Sequence, residues 1–144
     1  MKKLNFIVLG TLLAISLTTR ALADTTIPWT KEGCESVKGI WMTAKNGTNF
    51  CRSPKSMNWW SALIWCKSIG RNLADFYHLC PGVPAEQNMT RGTCPNIQLG
   101  LNEWLWSSMI APNGTTFWVH ASAGQVEPKP RDYSDGTGIA TCEE

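Results

Sequence analysis

Histidine occurs only at His78 and His120 in the 144 residues, and charged side chains make up just 17% of the chain. So few bases, with no recognisable serine motif beside them, leave no catalytic set, and both histidines read as surface or partly packed residues. The sequence has no C-x-x-C pair and no histidine cluster, which excludes the usual zinc knuckle. Basic stripes are missing too. The chain holds 13 basic and 11 acidic residues, but Lys2, Lys3 and Arg20 fall in the first 23 positions, leaving 10 against 11 and a formal charge of −1. Without a positive face there is no footprint for nucleic acid. The longest apolar run, Leu4 to Leu17, is too short for a membrane span.

That run follows Lys2 and Lys3, is closed early by Arg20, and precedes the small-residue site Ala21-Leu22-Ala23, which is the form of an export leader over 1–23. The expected location is therefore outside the cytoplasm, periplasmic or extracellular, with no membrane span once the leader is cleaved. From Asp24 onward 121 residues remain, enough for one domain with a modest core. All six cysteines, Cys34, Cys51, Cys66, Cys80, Cys94 and Cys142, lie in that part, and an even count behind a leader reads as a disulfide framework whose pairing the spacing leaves open.

The best-defined element runs from Met57 to Leu73. Asn58 is placed to cap a helix and Gly70 to end one, which predicts a helix over 59–69. Trp59, Ala62, Leu63, Cys66 and Ile69 recur at helical spacing as its buried stripe, while Trp60, Ser61, Lys67 and Ser68 point elsewhere. Before it, residues 24–33 carry no pattern and read as a tether, with Trp29 as an anchor. The runs 39–43 and 48–51 flank Lys45-Asn46-Gly47, which predicts a hairpin with a type I′ turn. After it, Asp75 to Cys80 reads as a short capped helix ended by Pro81-Gly82, and 82–102 as a long loop bracketed by Cys80 and Cys94. Aromatic and β-branched runs at 104–109, 116–121 and 125–127, separated by Asn113-Gly114 and Ala123-Gly124, predict an antiparallel meander. Its alternation places Trp104 and Trp106 on one face, and Phe117, Val119 and Ala121 on one face of the next strand. Pro128 and Pro130 are expected to end the ladder before a loop at 132–138 and a last strand at 139–142. The fold class is α+β, with one main and one short helix on a small twisted antiparallel sheet.

The pattern Trp59-x-x-Ala62-x-x-x-Cys66-x-x-x-Gly70-x-x-Leu73 resembles the first-helix signature of C-type lectin-like domains. The hairpin from Cys34 to Cys51 resembles the N-terminal hairpin of the family's long form, and Ile139 to Glu143 resembles its closing strand. The resemblance implies a domain over 34–144 and the bonds Cys34–Cys51 and Cys66–Cys142, leaving Cys80–Cys94. Sugar-binding members hold calcium with Glu-Pro-Asn or Gln-Pro-Asp followed by Trp-Asn-Asp. Here the nearest match is Glu127-Pro128-Lys129, in which lysine replaces an oxygen ligand by a positive charge. Calcium and mannose-type binding are accordingly not carried over, and no cofactor or metal is expected. The Asp132, Asp135, Gly136 and Thr137 stretch reads as a turn, not an ion site. Trp104 to Ser108 followed by a hairpin looks more like bacterial branches of the superfamily.

Tryptophan is plentiful, with eight residues. Trp41, Trp59 and Trp106 fit the core, whereas Trp60, Trp104 and Trp118 are candidates for exposed platforms on which a sugar ring or protein surface packs. Asn46-Gly47-Thr48, Asn88-Met89-Thr90 and Asn113-Gly114-Thr115 fit the glycosylation sequon but read as turns. The expected function is an exported, non-enzymatic binding module for a surface protein or glycan, with contacts from Glu103, Trp104, Trp118, Glu127, Arg131 and Asp132. The alternatives are a structural or adhesive piece of an envelope or appendage assembly, and an oxidase-type enzyme of the same superfamily that works through reduced cysteines.

Overall fold

The computed structural model describes residues 26–82, 92–94, 99–111, 113–133 and 138–144. The expected leader over 1–23, the Asn88-Met89-Thr90 triplet and Asp135 to Thr137 lie outside them. In chain order the elements are α1 (Lys31–Ser36), β1 (Ile40–Thr43), β2 (Asn49–Met57), α2 (Trp59–Ser68), β3 (Asn72–Leu73), α3 (Phe76–Leu79), β4 (Gly92–Thr93), β5 (Trp104–Ile110), β6 (Thr116–His120), β7 (Gln125–Lys129) and β8 (Gly138–Glu143). The described strands form one mixed sheet in the order β1-β2-β8-β5-β6-β7-β4, with β3 also paired to β8. The class is α+β.

The stretch expected to be a tether is packed from Ile27 onward. Thr30 caps α1 by accepting the Gly33 N–H at 3.1 Å, and Ile27 is buried, with its N–H donating to the Ile69 carbonyl at 3.2 Å. Trp29 does act as an anchor, meeting Trp41 edge-on at 5.0 Å under the Arg71 guanidinium. A helix of six residues is too short to show a periodicity, which is why the sequence pattern missed it.

The first hairpin forms with a different turn. Both central residues of a type I′ turn need positive φ, yet the sole non-glycine residue with positive φ among those described is Lys38. Instead a three-residue loop, 45–47, closes between the Gly47 N–H and the Ala44 carbonyl at 2.9 Å, with Gly47 at φ 86°. The Asn46 carboxamide oxygen accepts the Thr48 N–H at 3.0 Å, and that local bond favours the longer loop. The β5–β6 turn repeats the device: Gly114 has φ 80°, and the Asn113 side chain accepts the Thr115 N–H at 3.1 Å.

Asn58 starts α2 by accepting the Ser61 N–H at 2.8 Å, and Gly70, at φ 71°, follows its end. The buried side holds Trp59, Ala62 and Cys66, with Ile69 just beyond, while Leu63 is half-buried and Trp60 and Ile64 are exposed. Asp75 caps α3 through the Tyr77 N–H at 2.8 Å. Both faces of the sheet are covered. Trp106, Trp118 and Ala140 pack with α2 on one side, and on the other Leu105 packs with Leu79 while Phe117, Val119 and Val126 pack with Phe76. The expected alternation is thus the observed one, and the register sets Trp106 opposite Trp118.

Two expectations about the sheet are corrected. β5 and β8 pair in parallel, so the sheet is mixed, because β8 returns by a long connection after β7 and no tight hairpin dictates its direction. The ladder also runs through Pro128, which pairs with Phe117, before stopping at Lys129. β4 reaches only Gln125 and Val126, so Pro128 sits where β7 has no described outer neighbour and a missing N–H is tolerated.

The cysteines are joined as Cys34–Cys51, Cys66–Cys142 and Cys80–Cys94. The second bond ties α2 to the interior strand β8 across 76 residues of chain, a closure that removes about 4 kcal/mol of unfolded-state entropy. No described helix is long and apolar enough to cross a membrane.

Candidate functional site

Trp59 positions its neighbour Trp60. β5 bulges between Trp106 and Ile110. The Ser107 carbonyl freed there accepts from Trp59 Nε1 at 2.8 Å and from Thr116 Oγ1 at 3.0 Å. This bond seats the first turn of α2 on the β5–β6 hairpin, so that Trp60, on the outward side of the same turn, stands beside the hairpin tip. A third wall comes from the chain leaving β7, where the Tyr133 N–H donates to the Pro130 carbonyl at 3.1 Å. That turn puts Arg131 and Asp132 at its centre.

Trp60, Asn113, Gly114, Thr115, Pro130, Arg131 and Asp132 together line an open cleft of about 390 Å³. The Arg131 guanidinium lies 5.2 Å from the centre of the Trp60 ring, and its Nη2 is 3.9 Å from where a Cβ on Gly114 would stand. It is therefore held between the helix and the hairpin tip. Trp60 remains 45% exposed, its ring edge-on to Trp59 at 4.9 Å. Among the described residues no carboxylate pairs with Arg131.

The other expected contacts lie elsewhere and are differently occupied. Glu103 is ion-paired with Arg52. The Glu127 carboxylate accepts from Lys129 Nζ at 2.9 Å and from Gln125 Nε2 at 2.7 Å. Trp118 is not a platform: it is 5% exposed, sandwiched by Trp104 at 4.1 Å and Trp106 at 5.8 Å. Lys129 Nζ sits 4.8 Å from the Trp118 ring and 4.7 Å from that of Tyr133. Trp104 is half-buried, and of the core candidates Trp59 and Trp106 are buried while Trp41 is half-buried. The structure thus brings Arg131 and Asp132 together with Trp60 and separates them from Glu103, Trp104, Trp118 and Glu127. Asn113 and Thr115 carry only the signature of a turn and Pro130 that of a strand end, and nothing local marks them as partners of Trp60.

The two histidines are far apart in role. His78 Nδ1 is 2.7 Å from the Glu143 carboxylate, whose other oxygen accepts the Asp75 N–H at 3.0 Å. His120 meets Trp104 edge-on and accepts the Ala123 N–H at 3.3 Å. Among the described residues no cluster of three or more His, Cys, Asp or Glu side chains is arranged to hold a metal. No family model matches the sequence, and no curated protein or solved structure matches it.

Proposed function

We propose that this chain is an exported, non-enzymatic binding module with a C-type lectin-like fold that engages a surface protein or glycan without calcium, through the Trp60–Arg131 cleft. The observation that carries the reading is the guanidinium held between Trp60 and the Gly114 turn, next to an exposed indole and a carboxylate. Indole, guanidinium, amide and carboxylate in one open cleft supply an apolar platform and directional hydrogen bonds while demanding no metal. The Cys66–Cys142 bond fastens α2, which carries Trp60, to the sheet, so this wall is presented at low ordering cost. The family reading is supported by the bond that ties the central helix to the last strand, together with the N-terminal hairpin closed by its own bridge.

The thiol-based oxidase alternative has less support, because all six cysteines are in disulfides and none is free. A structural or adhesive role in an envelope assembly draws on Ile64 and Ile110, which are 65% and 46% exposed and fit a protein partner. The processed chain on arrays of immobilised glycans and envelope proteins separates these readings. The expected result is a ligand whose retention is lost in Trp60→Ala and in Arg131→Ala. Retention untouched by both substitutions would remove the cleft from the function.

A further inference from the structure

Resting on that binding role, the cleft's chemistry points to one ligand class: we infer that it takes a sugar ring bearing a carboxylate, a hexuronate within an acidic polysaccharide. Among the described arginines, Arg52 is spent on Glu103, and Arg71 donates to the Ile27 carbonyl at 2.6 Å. Arg131 has neither an acid nor a carbonyl partner among the described residues, yet its guanidinium is fixed over Trp60. A guanidinium stacked in this way keeps its fork of N–H donors for a planar, bidentate acceptor, and a carboxylate is the acceptor that fits.

The rest of the wall offers one further donor group and two acceptors. The Asn113 side-chain oxygen is already occupied by the Thr115 N–H at 3.1 Å and the Thr115 hydroxyl at 2.7 Å. Its amide N–H groups, and the lone pairs of the Thr115 oxygen, are what remains for a ligand. Asp132 is exposed at the end of the cleft, and as an ionised carboxylate it accepts only. It therefore selects ligand hydroxyls and repels a second negative charge within the cleft, which disfavours phosphate and favours a ring that carries one carboxylate beside its hydroxyls. Trp60 offers the C–H face of a pyranose an apolar surface. The cleft volume of about 390 Å³ lies in the range of about 300–1,000 Å³ usual for small-ligand sites.

The test uses the processed chain in calorimetry against tetrasaccharides of galacturonate, glucuronate and mannuronate, each beside its carboxyl-reduced neutral counterpart, with an acidic tryptophan-containing peptide as a further arm. One uronate is expected to bind, with its reduced form about tenfold weaker, the ratio for one charged hydrogen-bonded contact. Arg131→Lys, which keeps the charge but not the fork, is expected to weaken the acid selectively, and Asp132→Asn to tighten it by relieving repulsion. Equal affinity for acid and reduced forms, binding of the peptide alone, or no uronate binding overturns the inference. The wider reading survives those results if the arrays return another ligand that Trp60→Ala or Arg131→Ala abolishes, so the two fail separately. Unaltered circular dichroism of each variant shows that the loss is local.

Discussion

Trp104 lies stacked on Trp118, with ring centroids 4.1 Å apart and planes 21° from parallel. The pair belongs to adjacent strands, and its consequence is that Trp104 is the lid that keeps Trp118 out of solvent. Among the described residues Trp118 Nε1 is buried without a hydrogen-bond partner, and the ring is packed between Trp104 and Trp106.

Removing that lid has a measurable outcome. Trp104→Ala is expected to cost about 2–3 kcal/mol in urea unfolding, less than a fully buried tryptophan because Trp104 is half exposed. The remaining tryptophan fluorescence is expected to shift red as Trp118 becomes wet. An unchanged midpoint and emission maximum would rule out the stacked arrangement.

Gly39 is constrained by the Cys34–Cys51 bridge. A Cβ at that position would stand 2.6 Å from Cys51 Sγ and 2.7 Å from Cys34 Sγ, closer than any real contact. Gly39→Ala is therefore expected to lose about 1–3 kcal/mol and to make this bond the first to yield to a mild reductant. Gly47→Ala is the comparison, since nothing stands within 4 Å of it and only its φ of 86° resists, at a cost of about 1 kcal/mol. If Gly47→Ala proves the costlier, the close approach at Gly39 is wrong.

The bonds differ in what they close. Replacing Cys66 and Cys142 together by alanine opens a separation of 76 residues, against 14 for Cys80 and Cys94. Chain entropy puts the losses at about 4 and about 3 kcal/mol, and since both pairs are buried the cavity cost falls on each alike. Denaturant titration of the two double variants checks the order. Peptide mapping that joins Cys66 to any other cysteine would undo the topology itself.

Binding and stability are expected to separate at the cleft. Trp60→Ala and Arg131→Ala alter residues on the solvent side of α2 and in an open turn, so each is expected to move stability by no more than about 0.5 kcal/mol. Loss of ligand with the thermal midpoint retained marks a surface site. A collapse of the midpoint would mean that the Arg131–Trp60 stack is a structural clamp.

Local chemistry made much of the frame readable. Asn58, Gly70 and the spacing of Trp59, Ala62, Cys66 and Ile69 suffice for α2, because capping and the 3.6-residue period act over a few residues. Period-two alternation likewise identifies β5 and β6 and sorts Trp106 from Leu105. Where a local hydrogen bond competed with a preferred turn, as at Asn46 and Thr48, the hairpin was legible and its turn type was not.

The candidate site was hardest to read because its parts share no segment. Arg131 and Asp132 are expected contacts and Trp60 a candidate platform from the sequence, but nothing local joins them, and Asn113 looks like an ordinary turn residue. Trp118 carries the composition of a platform, yet the register that sets it against Trp106 and under Trp104 buries it. The amino-acid sequence by itself determined the helices at 59–68 and 76–79, the hairpins and the even set of cysteines, since each follows from caps, periods and counts a few residues wide. Tertiary structure alone decided that β8 enters parallel to β5, that Trp118 is core, and that Arg131 rests on Trp60. Those outcomes depend on which surfaces meet when distant segments close over one sheet, and no local propensity encodes that meeting.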